Sequence, residues 1–252
     1  MTMDLLTALF VSLFVNILVF LFAYFLQTDK LTDLTYAATF VILAIVGYTL
    51  GYATIEKLIL LGFIILWAMR LGSFLAIRVH SKGKDGRFDE FRSSFIGFGK
   101  FWLFQAIAVF ILMIPLIFFM QKQVTPVFII GAVIWLFGFS YEAIADLQKF
   151  AFTQNKNNKG KFIDQGLWKY SRHPNYVGEI LCWVGIYIYV LPALTLTQAL
   201  VGILSPIVIY IMLRYVSGVP LLEKRAQKKW GFDKAYQKYV SQTNRFIPVW
   251  RK

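Results

Sequence analysis

Residues 166–179 read Gly-Leu-Trp-Lys-Tyr-Ser-Arg-His-Pro-Asn-Tyr-Val-Gly-Glu and lead into an apolar run that starts at Ile180. They set a guanidinium, an imidazole, an amide, a phenol and a carboxylate at the rim of a membrane-length segment. Unsatisfied polar groups there cost several kcal/mol and are seldom idle. Pro174 disfavours helix at His173, so the spacing predicts an extended entry that turns into helix near Asn175. A helix start exposes unpaired amides, and Lys169, Arg172 and His173 beside them make this corner attractive to a phosphate. Asn175 has a plainer reading as the helix cap. Glu179, one turn further in, suits the helix dipole but is costly to bury without a partner.

A second constellation lies in Tyr141-Glu142-Ala143-Ile144-Ala145-Asp146-Leu147-Gln148-Lys149. Helical spacing puts Glu142 and Asp146 on one face, where two like charges need a cation or a donor-rich ligand between them. Arg70, in Leu66-Trp67-Ala68-Met69-Arg70, is an arginine inside a membrane segment. It must snorkel to the inner surface, pair with a carboxylate, or face a ligand.

These residues need elements long enough to hold them in a bilayer. Hydrophobic types make up 58% of the 252 residues, with 25 Phe, 13 Tyr and 7 Trp, which marks an integral membrane protein. About seven all-α spans are expected, over 5–26, 34–55, 58–77, 101–120, 127–146, 179–197 and 199–219. Gly47 and Gly51 interrupt the second and have the spacing of a close helix-packing site. The first run is read as a retained helix, since no Lys or Arg precedes Lys30. With the N-terminus outside, Lys57 and Lys122 lie on the outer side and Arg70 within a span. The other members of the 26 Lys and Arg then fall on the inner face, so the C-terminus is cytoplasmic.

The net charge of +13 is explained by those inner loops and by anionic headgroups, so nucleic acid is not expected as a partner. Cys182 is the only cysteine, and His80 and His173 are the only histidines, so no metal centre is expected. The long connections are all on the inner side, which is where a site should be built. Residues 81–87 are turn-rich and 153–161 read as a solvated flap. A helical pattern from Leu221 to Val240 suits the membrane surface. A single transmembrane domain over 1–252 accounts for the chain.

The stretch Ser171-Arg172-His173-Pro174-Asn175-Tyr176-Val177-Gly178-Glu179, preceded by Gly166-Leu167-Trp168, resembles the signature of a bacterial branch of the steroid 5α-reductase family. More distant relatives are isoprenylcysteine carboxyl methyltransferase and sterol reductases. The likeness runs from about Asp33 to the C-terminus and concentrates in 142–252, where Pro220-Leu221-Leu222-Glu223, Tyr236, Tyr239 and Arg245-Phe246-Ile247-Pro248 also fit. The resemblance implies a helical membrane enzyme of a bacterial cytoplasmic membrane that takes NADPH from the cytoplasmic side. It places Asp146, Asn175, Tyr176 and Glu179 in the cofactor pocket, with Arg172, His173, Tyr239 and Arg245 nearby. Glu142, Lys149, Tyr170 and Glu223 complete the cofactor-binding set. The family's catalytic tyrosine is matched by Trp67, which can donate a hydrogen bond but cannot protonate an oxyanion. Asp33 is the nearest match to its catalytic glutamate, and Arg70 is the third catalytic candidate, as a cation for a developing enolate.

Three functions follow as expectations. The first is an NAD(P)H-dependent reductase acting on the C=C bond of a lipophilic, enone-like steroid or lipid. The second is a methyltransferase using S-adenosylmethionine on a lipid or membrane-anchored substrate, for which the His-Pro-x-Tyr-x-Gly element and Glu223 speak. The third is a transporter or scaffold without catalysis.

Overall fold

A computed structural model describes residues 3–82 and 92–247, with side chains described as far as Gly72 and again from Arg92. The expected stretch at 81–87, beyond the last two positions of a helix, lies outside the described residues, as do the His80 side chain and Pro248. The described chain is all-α. Its helices are α1 (Leu5–Phe25), α2 (Lys30–Leu50), α3 (Ile55–Lys82), α4 (Phe95–Met120), α5 (Ile129–Gln154), α6 (Pro174–Val190), α7 (Leu196–Gly202), α8 (Leu204–Ile211), α9 (Val219–Trp230) and α10 (Lys234–Gln242). Six helical segments among the described residues are long and apolar enough to cross a membrane, and α7, α8, the π-turn Met212–Val216 and α9 belong to one of them, Leu196–Trp230. The protein is therefore a polytopic helical membrane protein. Those six exclude α3, the seventh long helix, which carries Glu56, Lys57 and Arg70 among its described side chains.

Several helices outrun the apolar stretches that announce them. α2 begins at Lys30 rather than 34, and α5 runs on to Gln154, two turns past 146, because residues such as Lys30, Gln148 and Lys149 continue a helix without continuing the apolar run. α6 starts at Pro174, so Pro174 takes the first helical position and Asn175 the second. Asn175 is therefore not the cap. The pattern over 221–240 is two helices, not one. Gly231 closes α9 with its N–H on the Gln227 carbonyl, and Asp233 opens α10 by accepting from the Ala235 N–H at 2.8 Å.

The chain packs as two compact units, Met1–Phe128 with Ile186–Ser205, and Ile129–Gly185 with Pro206–Lys252. In the first unit α1 lies against α4 and α2, and α2 against α3. α1 presents Ala8, Ser12, Asn16, Phe20 and Ala23 inward at helical spacing, while Leu6, Phe10, Phe14 and Phe25 remain exposed, as suits a lipid-facing surface. Three helices are joined by a buried polar seam. Ser12 Oγ donates to the Ala106 carbonyl at 2.8 Å, Gln105 Nε2 to Asn16 Oδ1 at 2.9 Å, and Asn16 Nδ2 to Thr39 Oγ1 at 3.2 Å. In an apolar interior such bonds fix which helix faces meet. Gly47 and Gly51 form the close contact their spacing announces. A Cβ at Gly51 would sit 2.5 Å from the Met120 carbonyl oxygen.

The second unit is built on an antiparallel glycine seam. Gly131 and Gly138 of α5 meet Gly185 and Gly178 of α6, each pair seven residues apart. A Cβ at Gly185 would lie 2.6 Å from the Trp135 backbone nitrogen, and one at Gly138 would lie 2.8 Å from the Gly178 carbonyl oxygen. The helices thus touch backbone to backbone.

Candidate functional site

The signature begins as a docking element. Gly166 has φ +60, a left-handed conformation that glycine adopts without strain, and a Cβ there would strike Gln148 Oε1 at 2.5 Å. Gln148 in turn accepts the Leu167 N–H at 2.9 Å, and the buried Trp168 indole donates to the Ala145 carbonyl at 2.9 Å. Lys149 lies over the Trp168 ring, 4.5 Å from its centroid. Gly166-Leu167-Trp168 therefore fastens the approach to α6 onto the end of α5, beside Asp146.

From there the chain enters α6 through a clamp centred on Glu223 of α9. Arg172 Nη1 donates to Glu223 Oε2 at 2.7 Å and His173 Nε2 to Oε1 at 3.0 Å, with Arg245 Nε 3.8 Å from Oε2. The C-terminal segment lies across the same turn. The Arg172 N–H donates to the Asn244 carbonyl at 2.9 Å, and the His173 N–H and Ser171 hydroxyl donate to the Arg245 carbonyl at 3.1 and 3.0 Å. His173 is stacked on Tyr176, with centroids 5.6 Å apart and planes at 11°. Gly218 lets Tyr176 close in, since a Cβ there would lie 2.8 Å from the Tyr176 ring.

Two buried atoms of this clamp have no hydrogen-bond partner among the described residues, His173 Nδ1 and Arg172 Nε. Burial pushes the His173 imidazole below its ordinary value, against the opposing pull of the Glu223 carboxylate. A neutral ring whose Nε2–H serves Glu223 leaves Nδ1 as a bare acceptor, while Arg172 Nε–H remains a donor. Because the folded chain binds this proton less readily than the unfolded one, the stability it contributes is present above the ordinary value and is lost as pH falls toward the lowered one. The melting temperature in detergent should fall as pH drops below the ordinary histidine value of 6.5, and His173→Gln should flatten that fall. An unchanged slope in the variant would assign the pH dependence to other groups.

The remaining expected cofactor residues lie in the same unit. Glu142 and Asp146 are buried on α5 at 2% and 6% exposure, and Glu179 is buried on α6 at 9%. Gly178 abuts Glu142 directly, with a built Cβ 2.6 Å from the Glu142 Cβ. Asn175 is half-buried, and Tyr170 has Lys169 Nζ 5.8 Å from its ring centroid. Tyr239 is committed within the protein. Its hydroxyl donates to the Trp168 carbonyl at 2.7 Å, and its ring packs with Phe162 and Tyr236.

The three expected catalytic residues lie in the first unit. Asp33 occupies the first turn of α2 and is half-buried. Trp67 of α3 is 1% exposed, edge-on to Phe40 at 5.1 Å and to Tyr36 at 6.4 Å. Arg70, one turn on, is half-buried. Two features of this unit escaped the sequence reading, the buried Asp29–Arg92 ion pair at 3.2 Å and the burial of Lys57, which had been expected in an outer loop. An aspartate just ahead of a helix signals only a cap, so the first has no local signature.

Helical spans with a charge clamp at the entry to one of them define an integral membrane protein with a buried polar corner. The family described as protein of unknown function (DUF1295) matches residues 19–243, nearly the whole chain, and the chain belongs to it. No curated protein and no solved structure matches.

Proposed function

We propose that the protein is a membrane-embedded, NAD(P)H-dependent reductase of a lipophilic unsaturated substrate, related to the steroid 5α-reductases. The observation that carries the reading is the pair of unsatisfied buried atoms at the clamp, one acceptor on His173 and one donor on Arg172. A hydroxyl can satisfy both kinds of atom, since it gives one hydrogen bond and takes another, and a dinucleotide carries ribose hydroxyls beside its phosphates. Glu142, Asp146 and Glu179 are buried in the same unit and engaged within the protein, and an ionised carboxylate keeps acceptor capacity for further N–H and O–H donors of a ligand. The residues therefore fit the group. When bound, the nicotinamide would supply hydride to the substrate's C=C bond, with a proton from water completing the reduction.

The chain's own contributions are binding and polarisation. Glu223 holds Arg172 and His173 while Arg172 Nε and His173 Nδ1 stay without a hydrogen bond among the described residues. Within the first unit, Trp67 has an indole N–H and Arg70 a guanidinium of the kind that polarise a substrate oxygen and hold negative charge. The inner side of the membrane is the proposed entry, on the strength of the Lys and Arg distribution.

Ligand-induced stabilisation tests the reading by mass action. NADPH at about a hundredfold over its dissociation constant should stabilise the purified chain by about 2.7 kcal/mol, while S-adenosylmethionine should leave it unchanged. Asp146→Ala should weaken NADPH binding about tenfold or more while leaving the protein folded. Stabilisation by S-adenosylmethionine alone would make the protein a methyltransferase, and silence with both would favour a transporter or scaffold.

A further inference from the structure

We infer that the α9–α10 hairpin is a docking element for anionic phospholipid, with Phe232 as its apolar wedge. The inference is independent of what the buried corner binds. α9 has two unlike faces. It turns Glu223 and Trp230 into the protein, Glu223 to the clamp and Trp230 to the Gly160 carbonyl at 2.5 Å. Lys224, Arg225, Lys228 and Lys229 are consequently exposed, and Lys234 and Lys238 of α10 extend the same charge. Asp233 is the exposed acid among these six cations, and it is engaged as the α10 cap.

Between the helices stands Phe232, at 101% exposure. Its projection is imposed by the turn. The Gly231 N–H bonds to the Gln227 carbonyl and the Asp233 N–H to the Trp230 carbonyl, each at 2.9 Å. Gln237 Nε2 closes the other side on the Gly231 carbonyl at 2.8 Å. A fully exposed phenylalanine held on a hydrogen-bonded turn and ringed by lysines has the composition of an interfacial anchor, in which the ring enters the headgroup boundary and the cations meet anionic lipid.

The ends of the hairpin keep it near such a surface. α9 is the charged last part of the helical segment Leu196–Trp230, which is long and apolar enough to cross a membrane, and Asn244 and Arg245, just past α10, are bonded to Arg172 and His173 at the mouth of α6. The occupant is therefore the headgroup layer of the bilayer that holds the spans, and charge complementarity selects its anionic members.

Phe232→Cys in the full chain provides the test, because Cys182, the only native cysteine, is buried and leaves position 232 as the site for an environment-sensitive thiol dye. The labelled protein is placed in nanodiscs of phosphatidylcholine alone or mixed with phosphatidylglycerol. The dye emission should shift to the blue in the mixed discs, and high salt should reverse the shift. Adding Lys224→Gln, Lys228→Gln, Lys234→Gln and Lys238→Gln should lower the lipid-inserted fraction about tenfold or more with no change in melting temperature. Water-like emission in both discs would overturn the inference, as would a salt-independent shift of equal size in both. A shift produced by a soluble acidic protein and by neither disc would overturn it in favour of a protein partner.

Discussion

Gly178→Ala should be among the most damaging small substitutions in this chain. The added methyl would lie 2.6 Å from the Glu142 Cβ, the Glu142 backbone nitrogen and the Gly138 carbonyl oxygen. Two of the three obstacles are backbone, so no rotamer change relieves them, and α5 and α6 must part. Parting them also loosens the partner contacts at Gly131 and Gly185, because the two pairs lie two turns apart on the same helix faces. Overpacking of this kind costs about 3 kcal/mol or more. The expected result is a large loss of folded, detergent-extractable protein and a depressed melting temperature for whatever survives. Gly62→Ala is the control, since a methyl there meets nothing within 4 Å and an alanine inside α3 should raise stability by up to about 1 kcal/mol rather than lower it. Equal behaviour of the two variants would refute the backbone seam.

The seam also shows what kind of information a single sequence withholds. Gly131, Gly138, Gly178 and Gly185 stand in the sequence as two pairs at heptad spacing, yet the pattern means little until α5 and α6 are known to be antiparallel neighbours. Gly47 and Gly51 were legible because three intervening residues are a recognised packing interval, and both do meet Met120. The spans were legible for a stronger reason. A bilayer demands about 20 apolar residues in a row, and α1, α4 and α5 meet that demand whatever they pack against. Their ends were less legible, since Lys30 or Gln148 continues a helix without continuing the hydropathy that reveals it.

The candidate site divides along the same line. Ser171 to Glu179 declared itself because ionisable groups at a membrane rim are uncommon, and Pro174 fixed where the helix begins. What the spacing did not convey is that Glu223, some fifty residues later, takes Arg172, His173 and Arg245 together. The same carboxylate that ties down the corner leaves one nitrogen of Arg172 and one of His173 unsatisfied, so its structural role and the proposed binding role are aspects of one arrangement. Likewise Trp168 and Tyr239, conspicuous as aromatic signature residues, spend their polar atoms on Ala145 and on each other's segment. Those two bonds hold the signature segment onto α5 and α10.

Lys57→Met should be nearly as costly as the glycine substitution, for an electrostatic reason. Lys57 is 0% exposed, and its ammonium donates to the carbonyls of Tyr52 and Met120, each at 2.9 Å, and of Lys122 at 2.5 Å. Three acceptors around one nitrogen require three N–H groups, which only the charged form possesses. Met120 is the last residue of α4, where the helix dipole presents partial negative charge, so the ammonium caps that helix as well as the turn after α2. Methionine matches the aliphatic part of the side chain, one atom short of the ammonium, and donates nothing. Three carbonyls would lose a charged donor, and leaving them without one costs about 3 kcal/mol or more in total. Neighbouring contacts do not substitute for it. Glu56 already accepts from the Thr125 hydroxyl at 2.9 Å, and its carbonyl from the Tyr189 hydroxyl at 3.2 Å. Lys57→Arg should recover only part of the loss, because a planar guanidinium cannot aim N–H groups at three acceptors arranged about one point. Thermal unfolding in detergent measures both variants. A methionine variant as stable as the parent would mean that water, rather than Lys57, satisfies these carbonyls, and the cap on α4 would have to be withdrawn.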